Sequence, residues 1–344
     1  MRRGAWLIVA MAATWACGGD SVDPGQPGAF AVPVSGALNR TYFYLNYVDE
    51  GAGAAIQDYT CGPKTYDGHL GTDITLPSFA VMDSGVNVLA AAEGTVVAVH
   101  DGEFDRQKSW VSGAMWNFVA IRHADGVQTI YGHVKKNSIV VTVDQAVQAG
   151  TVLGQVGSSG FSDIPHLHFE VRDANGTVID PWMGSCGAGE TRWTAQLGYQ
   201  NAFSLFASGL TNTSNMTLDV AKDPPAQVDT FSTADGRVTM WVELFNVPAG
   251  TPAEFRLYRP DGTLHWRFPF THQRFYSLSW WWGFHAISGS LSQPGRWRME
   301  YRQTGALLAV RSFVLVAAPA AAQTAPPVVL LPRAGMGGGG VGRP

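Results

Sequence analysis

The 344-residue chain is 46% hydrophobic and only 15% charged, the reverse of the balance that keeps a chain unfolded. Its 27 acidic residues outnumber 23 Lys and Arg, for a net charge of −4. That argues against a nucleic-acid binder, which carries a basic footprint. The length fits two domains at roughly 100–200 residues each, and 40 Gly with 12 Trp point to turns and strands rather than a helical bundle.

Arg2 and Arg3 precede an apolar run over residues 5–13. This is the layout of a secretory signal, and the run is too short for a bilayer span of about 20 residues. It ends in Thr14-Trp15-Ala16-Cys17-Gly18-Gly19, which resembles the lipobox of bacterial lipoproteins. The resemblance implies a lipid on Cys17, an exported protein of the bacterial envelope (periplasmic or cell-surface) and no other hold on a membrane. An ordinary cleaved signal with an incidental cysteine is the alternative. The arginine pair lacks the rest of a twin-arginine motif. With residues 1–17 read as signal, residues 18–37, rich in Gly, Pro, Ser and Ala, read as a linker. Once Cys17 is set aside, Cys61 and Cys186 are left to form one disulfide, which an exported protein keeps oxidised. Two free buried thiols are the other reading.

From residue 38 to 186 strand signals alternate with turns. Runs at 86–91, 95–100, 118–123, 127–131, 139–143, 151–156 and 164–172 are separated by Glu93-Gly94, Ala124-Asp125-Gly126 and other breaks, a mostly antiparallel β domain. Residues 187–225 are polar and partly Pro-rich and read as a connecting segment. Runs at 238–245, 254–258, 264–270, 275–282, 295–301 and 307–316 follow, with turns at Asp235-Gly236, Pro260-Asp261-Gly262 and Thr304-Gly305. So many short strands over 226–316 predict a sandwich resembling immunoglobulin or fibronectin type III modules. The Ala/Pro- and then Gly-rich stretch 317–344 reads as a disordered tail.

Six of the nine histidines lie between residues 69 and 168. His69-Leu70-Gly71-Thr72-Asp73 is an HxGxD string, and His166-Leu167-His168 is an HxH string followed by Phe169-Glu170. Alternate residues of a strand share a face, so His166 and His168 project together, and His69 and Asp73 do so if extended. Gly71 leaves room for a close neighbour or ligand. Imidazoles and a carboxylate converging on one point suit zinc. A catalytic zinc needs three protein ligands, so the two strings hold one candidate too many, and the surplus histidine is available for proton transfer. HExxH is absent, which removes the glutamate-base helix.

These strings, with Tyr131-Gly132-His133 between them and Gly157-Ser158-Ser159-Gly160 before the HxH, resemble the lysostaphin/LytM-type zinc metallopeptidases over residues about 60–182. Those enzymes cut peptide bonds in bacterial peptidoglycan. The resemblance implies a β-rich core with an open groove, zinc held by His69, Asp73 and His168, and His133 and His166 as catalytic histidines. It implies peptidoglycan stem or cross-bridge peptides as substrate. A non-catalytic peptidoglycan-binding or regulatory envelope protein of the same fold is the second reading, and a purely structural lipoprotein leaves the histidines unexplained. Tyr66 offers either an oxyanion donor or a packed ring. His100 and His123 lack partner spacing and read as structural, and His265, His272 and His285 carry no assigned chemistry. In Trp280-Trp281-Trp282, alternation predicts Trp280 and Trp282 on one face and Trp281 on the other. That makes the strand either sandwich core with an exposed ring or a stacking platform for glycan or peptide.

Overall fold

The computed structural model describes residues 29–187, 189–287 and 293–317. The signal and Cys17 lie outside these residues, as do the first part of the 18–37 stretch and nearly all of the 317–344 stretch. The fold is mainly β. The first group of strands is β1 (Phe43–Asn46), β2 (Thr72–Thr75), β3 (Asn87–Leu89), β4 (Gly94–His100), β5 (Phe118–Arg122), β6 (Gln128–Gly132), β7 (Ala146–Val147), β8 (Val152–Gln155) and β9 (His166–Arg172), with one short helix, α1 (Phe79–Ser84). Seven of these strands form one sheet in the order β1-β2-β9-β6-β5-β4-β7, and β3 pairs with β8. Every pairing in the large sheet is antiparallel.

Period-two patterning sets the faces of this sheet. In β9, Leu167, Phe169 and Val171 enter the apolar core with Ile74, Tyr131 and Trp182, while His166, His168 and Glu170 take the opposite face. The β5–β6 hairpin turns on Gly126 at φ 85°, and the Asp125 carboxylate accepts from Val127 N at 3.1 Å. Cys61 and Cys186 are disulfide-bonded, with Cα atoms 5.2 Å apart across 125 residues of sequence.

Part of the stretch read as a linker is packed structure. Phe30 and Val34 are buried in the first core, and Val34 bridges to Val88 in β3. An aromatic and a β-branched residue in a Gly/Pro-rich stretch contribute enough apolar area to dock it, which composition alone hides.

The second group of elements is β10 (Ser204–Thr211), α2 (Leu218–Lys222), β11 (Thr230–Ser232), β12 (Arg237–Val247), β13 (Pro252–Tyr258), β14 (Leu264–Thr271), β15 (Tyr276–Ala286), β16 (Gly295–Gln303) and β17 (Ala306–Val316). They form a three-stranded sheet, β10-β12-β15, and a five-stranded sheet, β11-β17-β16-β13-β14. The two sheets share one core, built from Val238, Met240, Val242 and Leu244 of β12 against Phe255, Leu257, Trp297, Met299, Tyr301 and Phe313. The connecting segment 187–225 is divided between the two units. Trp193 belongs to the first core, and β10 is an edge strand of the second unit.

The tryptophan run corrects the sequence reading. Trp281 fills the sandwich core, as alternation requires. Trp280 and Trp282 pack with Trp241 and Phe245 against Phe43, Leu45 and Ile164 of the first unit, and Phe43 stacks on Phe245 at 4.2 Å. No ring of the three is more than 8% exposed, so the run is no stacking platform. The outer face of β12 and β15 carries Trp280 and Trp282 because the first unit covers it, and the Glu243 carboxyl is buried on the same face, opposite Trp280. Among the described residues no helix is long and apolar enough to cross a membrane.

Candidate metal centre

Three neighbouring strands assemble the centre. Register places Asp73 of β2 opposite His168 of β9, and Gly132, the last residue of β6, on the other side of His168. His133 therefore follows directly beside the HxH string. It holds φ 60°, a left-handed backbone that costs a non-glycine residue about 1–3 kcal/mol and persists only where its surroundings enforce it. His69 arrives differently from the sequence expectation. It and Gly71 precede β2, and His69 N closes a turn on Tyr66 O at 3.0 Å, so a bend rather than an extended face brings His69 to Asp73. Gly71 is required by packing, because a Cβ there would lie 2.7 Å from His168 Nε2.

Donor atoms of His69, Asp73 and His168 converge, and all three residues are buried. His69 Nε2 lies 3.2 Å from Asp73 Oδ1, His168 Nδ1 lies 3.0 Å from the same oxygen, and the two nitrogens are 3.2 Å apart. A tetrahedral zinc bound at about 2.0–2.2 Å needs its ligands about 3.4 Å apart, so this donor set fits that ion with little adjustment. His166 Nε2 is 3.4 Å from Asp73 Oδ1, and its ring centroid is 4.4 Å from that of His133.

Each imidazole is oriented by a second contact. His69 Nδ1 donates to Tyr47 O at 2.6 Å, His133 Nδ1 to Ser159 O at 2.6 Å and His166 Nδ1 to Ile164 O at 2.9 Å. A nitrogen bonded to a carbonyl must carry the proton, so Nε2 is the nitrogen of each ring left to accept one. His168 is turned the other way. Its Nδ1 faces Asp73, and its Nε2 lies 3.6 Å from Glu170 Oε2. Asp73 Oδ2 accepts from Asn46 Nδ2 at 3.0 Å. Trp116 packs on both His133 and His168, with centroids at 5.0 and 5.7 Å.

Electrostatics follow from burial and neighbours. Burial works against the Asp73 carboxylate, but the surrounding imidazoles hold its pKa well below the usual range. Burial and the adjacent His166 and His168 push His133 well down. Burial pushes His168 down too, but its contacts with Asp73 and Glu170 outweigh that and raise it to about 9. Burial lowers His69 despite Asp73.

The five histidine and aspartate positions that the family resemblance implies are thus brought together. His123 and His100 are not among them. His123 bonds Glu93 O at 2.6 Å and Thr129 Oγ1 at 2.9 Å, and His100 pairs with Glu103 at 2.9 Å. Tyr66 stacks on His69 at 4.4 Å. Sequence reasoning missed Asn46, Trp116 and Glu170. Only Glu170 left a signal, since it continues the alternation of His166 and His168.

Residues 68–181 match Peptidase family M23. M23 peptidases are zinc metallopeptidases, and the lysostaphin/LytM resemblance of the sequence lies in this domain. The DD-carboxypeptidase/endopeptidase Mpg of Neisseria meningitidis serogroup B is 37% identical over 113 residues, covering 33% of this chain and 22% of that protein. The murein hydrolase activator EnvC of Escherichia coli is 36% identical over 99 residues, covering 28% of this chain and 23% of that protein. The chain therefore spans less than a quarter of the length of these relatives. The solved catalytic domain of lysostaphin from Staphylococcus simulans is 25% identical, covers 42% of this chain and 90% of that one, and superposes with a TM-score of 0.28.

Proposed function

We propose that the M23 domain is a zinc-dependent endopeptidase hydrolysing peptide bonds in the stem or cross-bridge peptides of peptidoglycan. The observation that carries this reading is the convergence of His69 Nε2, Asp73 Oδ1 and His168 Nδ1 within 3.0–3.2 Å of one another, with two further imidazoles alongside. In this reading His69, Asp73 and His168 hold the ion. Zinc in such a site polarises the scissile carbonyl and lowers the pKa of water toward about 7. His133 and His166 are the catalytic histidines. Each has its Nδ1 tied to a backbone carbonyl, so each accepts or returns a proton at Nε2, first from the attacking water and then to the leaving amine. The buried Asp73 carboxylate keeps its charge and holds three imidazoles around it.

The relative named as a murein hydrolase activator supports a second reading, a regulator that binds peptidoglycan or a hydrolase without cutting. The complete donor set favours the enzyme. The strand order of the C-terminal sandwich supports an immunoglobulin-like module, and the relatives support a place in the bacterial envelope. The full chain should release new amino termini from purified peptidoglycan, and chelation should stop it. Bound zinc without cleavage would sink the peptidase reading and leave the regulator.

A further inference from the structure

The loop that carries Ser159, Ser162 and Ile164 sets the two proposed catalytic histidines. Ser159 O holds His133 Nδ1. Ile164 O lies 2.9 Å, and Ser162 Oγ 3.3 Å, from His166 Nδ1, and Ser162 Oγ also donates to Ile164 O at 2.9 Å. Asp163 lies between these last two anchors, and its side chain is held from outside the M23 domain. Lys222, the last residue of α2, places its Nζ 2.8 Å from Asp163 Oδ2 and donates to Lys108 O at 2.8 Å. Lys222 is 4% and Asp163 8% exposed, so the pair is shielded from the solvent that weakens surface ion pairs.

The next residue repeats the grip. Asp223 Oδ2 lies 3.0 Å from Arg106 and 2.8 Å from Lys108. The loop bearing those two cations is itself stitched to the histidine loop: Ser158 N bonds Asp105 O at 2.9 Å, Gln107 N bonds Ser158 O at 3.1 Å and Ser158 Oγ bonds Gln107 O at 2.8 Å. Two consecutive residues at the end of α2 therefore grasp both loops beside the centre. Ala221 in the same helix is buried in the apolar interface with Trp280 and Ile164, which keeps α2 seated on the sandwich sheet.

We propose that Lys222 is a positioning residue for the peptidase centre. Through Asp163 it fixes the segment whose Ser162 hydroxyl and Ile164 carbonyl orient His166, so that the sandwich unit completes the active site in cis. The proposal rests on the peptidase reading for its turnover measurement but not for its loop measurement. A reacting group displaced by about 1 Å loses on the order of a hundredfold in rate, so the effect belongs in kcat.

The test uses the full zinc-loaded chain and soluble cross-linked muropeptide dimers. Lys222→Met should lower kcat at least tenfold while KM and zinc content stay within twofold of the parent. Lys222→Arg, which keeps a donor for Asp163, should recover most of the loss. Because Lys222→Met strands a buried carboxylate, the double variant Lys222→Met with Asp163→Asn removes the clamp without that charge and should show the same kcat loss. Hydrogen exchange of amides in residues 158–166 should quicken at least tenfold in both Met variants, with β5 and β6 unchanged. Unchanged exchange in 158–166, or faster exchange with kcat unchanged, would overturn the proposal, as would a loss shared equally by Lys222→Arg. If the parent cuts nothing, the peptidase reading falls, and the exchange measurement alone still decides whether Lys222 holds the loop.

Discussion

The two units of this protein each gather histidines, and among the described residues only one gathering brings together donors that could hold a metal ion. In the M23 domain, His69, His166 and His168 surround one buried carboxylate, with His133 packed against His166. In the sandwich, His265 and His285 lie 5.0 Å apart against Trp297 and Trp266, and His272 is enclosed by Phe270, Tyr276 and Trp281. Burial lowers the pKa of all three sandwich rings. Among the described residues, what separates the groups is the anion. A carboxylate inside a histidine cluster holds imidazoles in place and offers a ligand, whereas aromatic walls merely keep imidazoles neutral.

The largest expected effect tests that distinction directly. His168→Ala should abolish tight zinc binding and lower turnover at least about a thousandfold, since one side chain serves both as a proposed ligand and as the partner of the Asp73 carboxylate. His285→Ala should leave both within twofold. Zinc content by atomic absorption, measured beside turnover, decides. Full zinc occupancy in His168→Ala would break the comparison. His166→Ala comes next. Zinc should remain, and turnover should fall about 10²–10⁴-fold, the usual contribution of a proton-transferring group. Loss of zinc in that variant would move His166 into the ligand set.

Much of the centre was legible because strand periodicity and short strings encode it. His166 and His168 share a face by alternation, and Asp73 sits opposite His168 in the neighbouring strand. The geometry of His69 was not legible, because it depends on a bend closed by Tyr66 O. Asn46 and Trp116 were not legible either. Each reaches the centre through strand pairing or loop packing that leaves no local pattern. The same holds at the junction of the units. The alternation of Trp280, Trp281 and Trp282 was readable, but only the docking of β1 shows that the outward pair is covered.

Asn46→Ala should weaken zinc binding about 10- to 100-fold, the usual cost of losing a group that orients a ligand. Asp73 Oδ2 loses its donor there, while all three proposed ligands remain. Proton competition gives the same comparison a pH axis. With its folded pKa raised to about 9, His168 must shed a proton to bind zinc, so affinity should rise about tenfold per pH unit from 7 and level off near 9. In the metal-free chain that protonation stabilises the fold, fully below pH 6.5 and decreasingly as pH rises through 9. Isothermal titration at pH 6.5, 7.5 and 8.5 reads the slope, and a flat profile would contradict the contacts of His168 with Asp73 and Glu170.

The smallest effect has the opposite sign and belongs to the sandwich. His272 is fully buried, its Nε2 lies 3.2 Å from Tyr301 OH, and burial lowers its pKa from 6.5 to about 4. Between those values the unfolded chain binds a proton that the folded chain refuses, so stability falls as pH drops through 6.5 and stops falling near 4. By pH 5.5 the loss should be about 1.4 kcal/mol, one pKa unit of linkage. His272→Gln keeps a donor for Tyr301 and cannot titrate. Urea unfolding followed by tryptophan fluorescence at pH 7.5 and 5.5 should therefore show a pH-dependent loss in the parent that is about 1.4 kcal/mol larger than in the variant. Equal losses in the two proteins would mean that the aromatic enclosure around His272 admits a proton, and the contrast between an anion-centred cluster and an aromatic-walled one would lose its electrostatic basis.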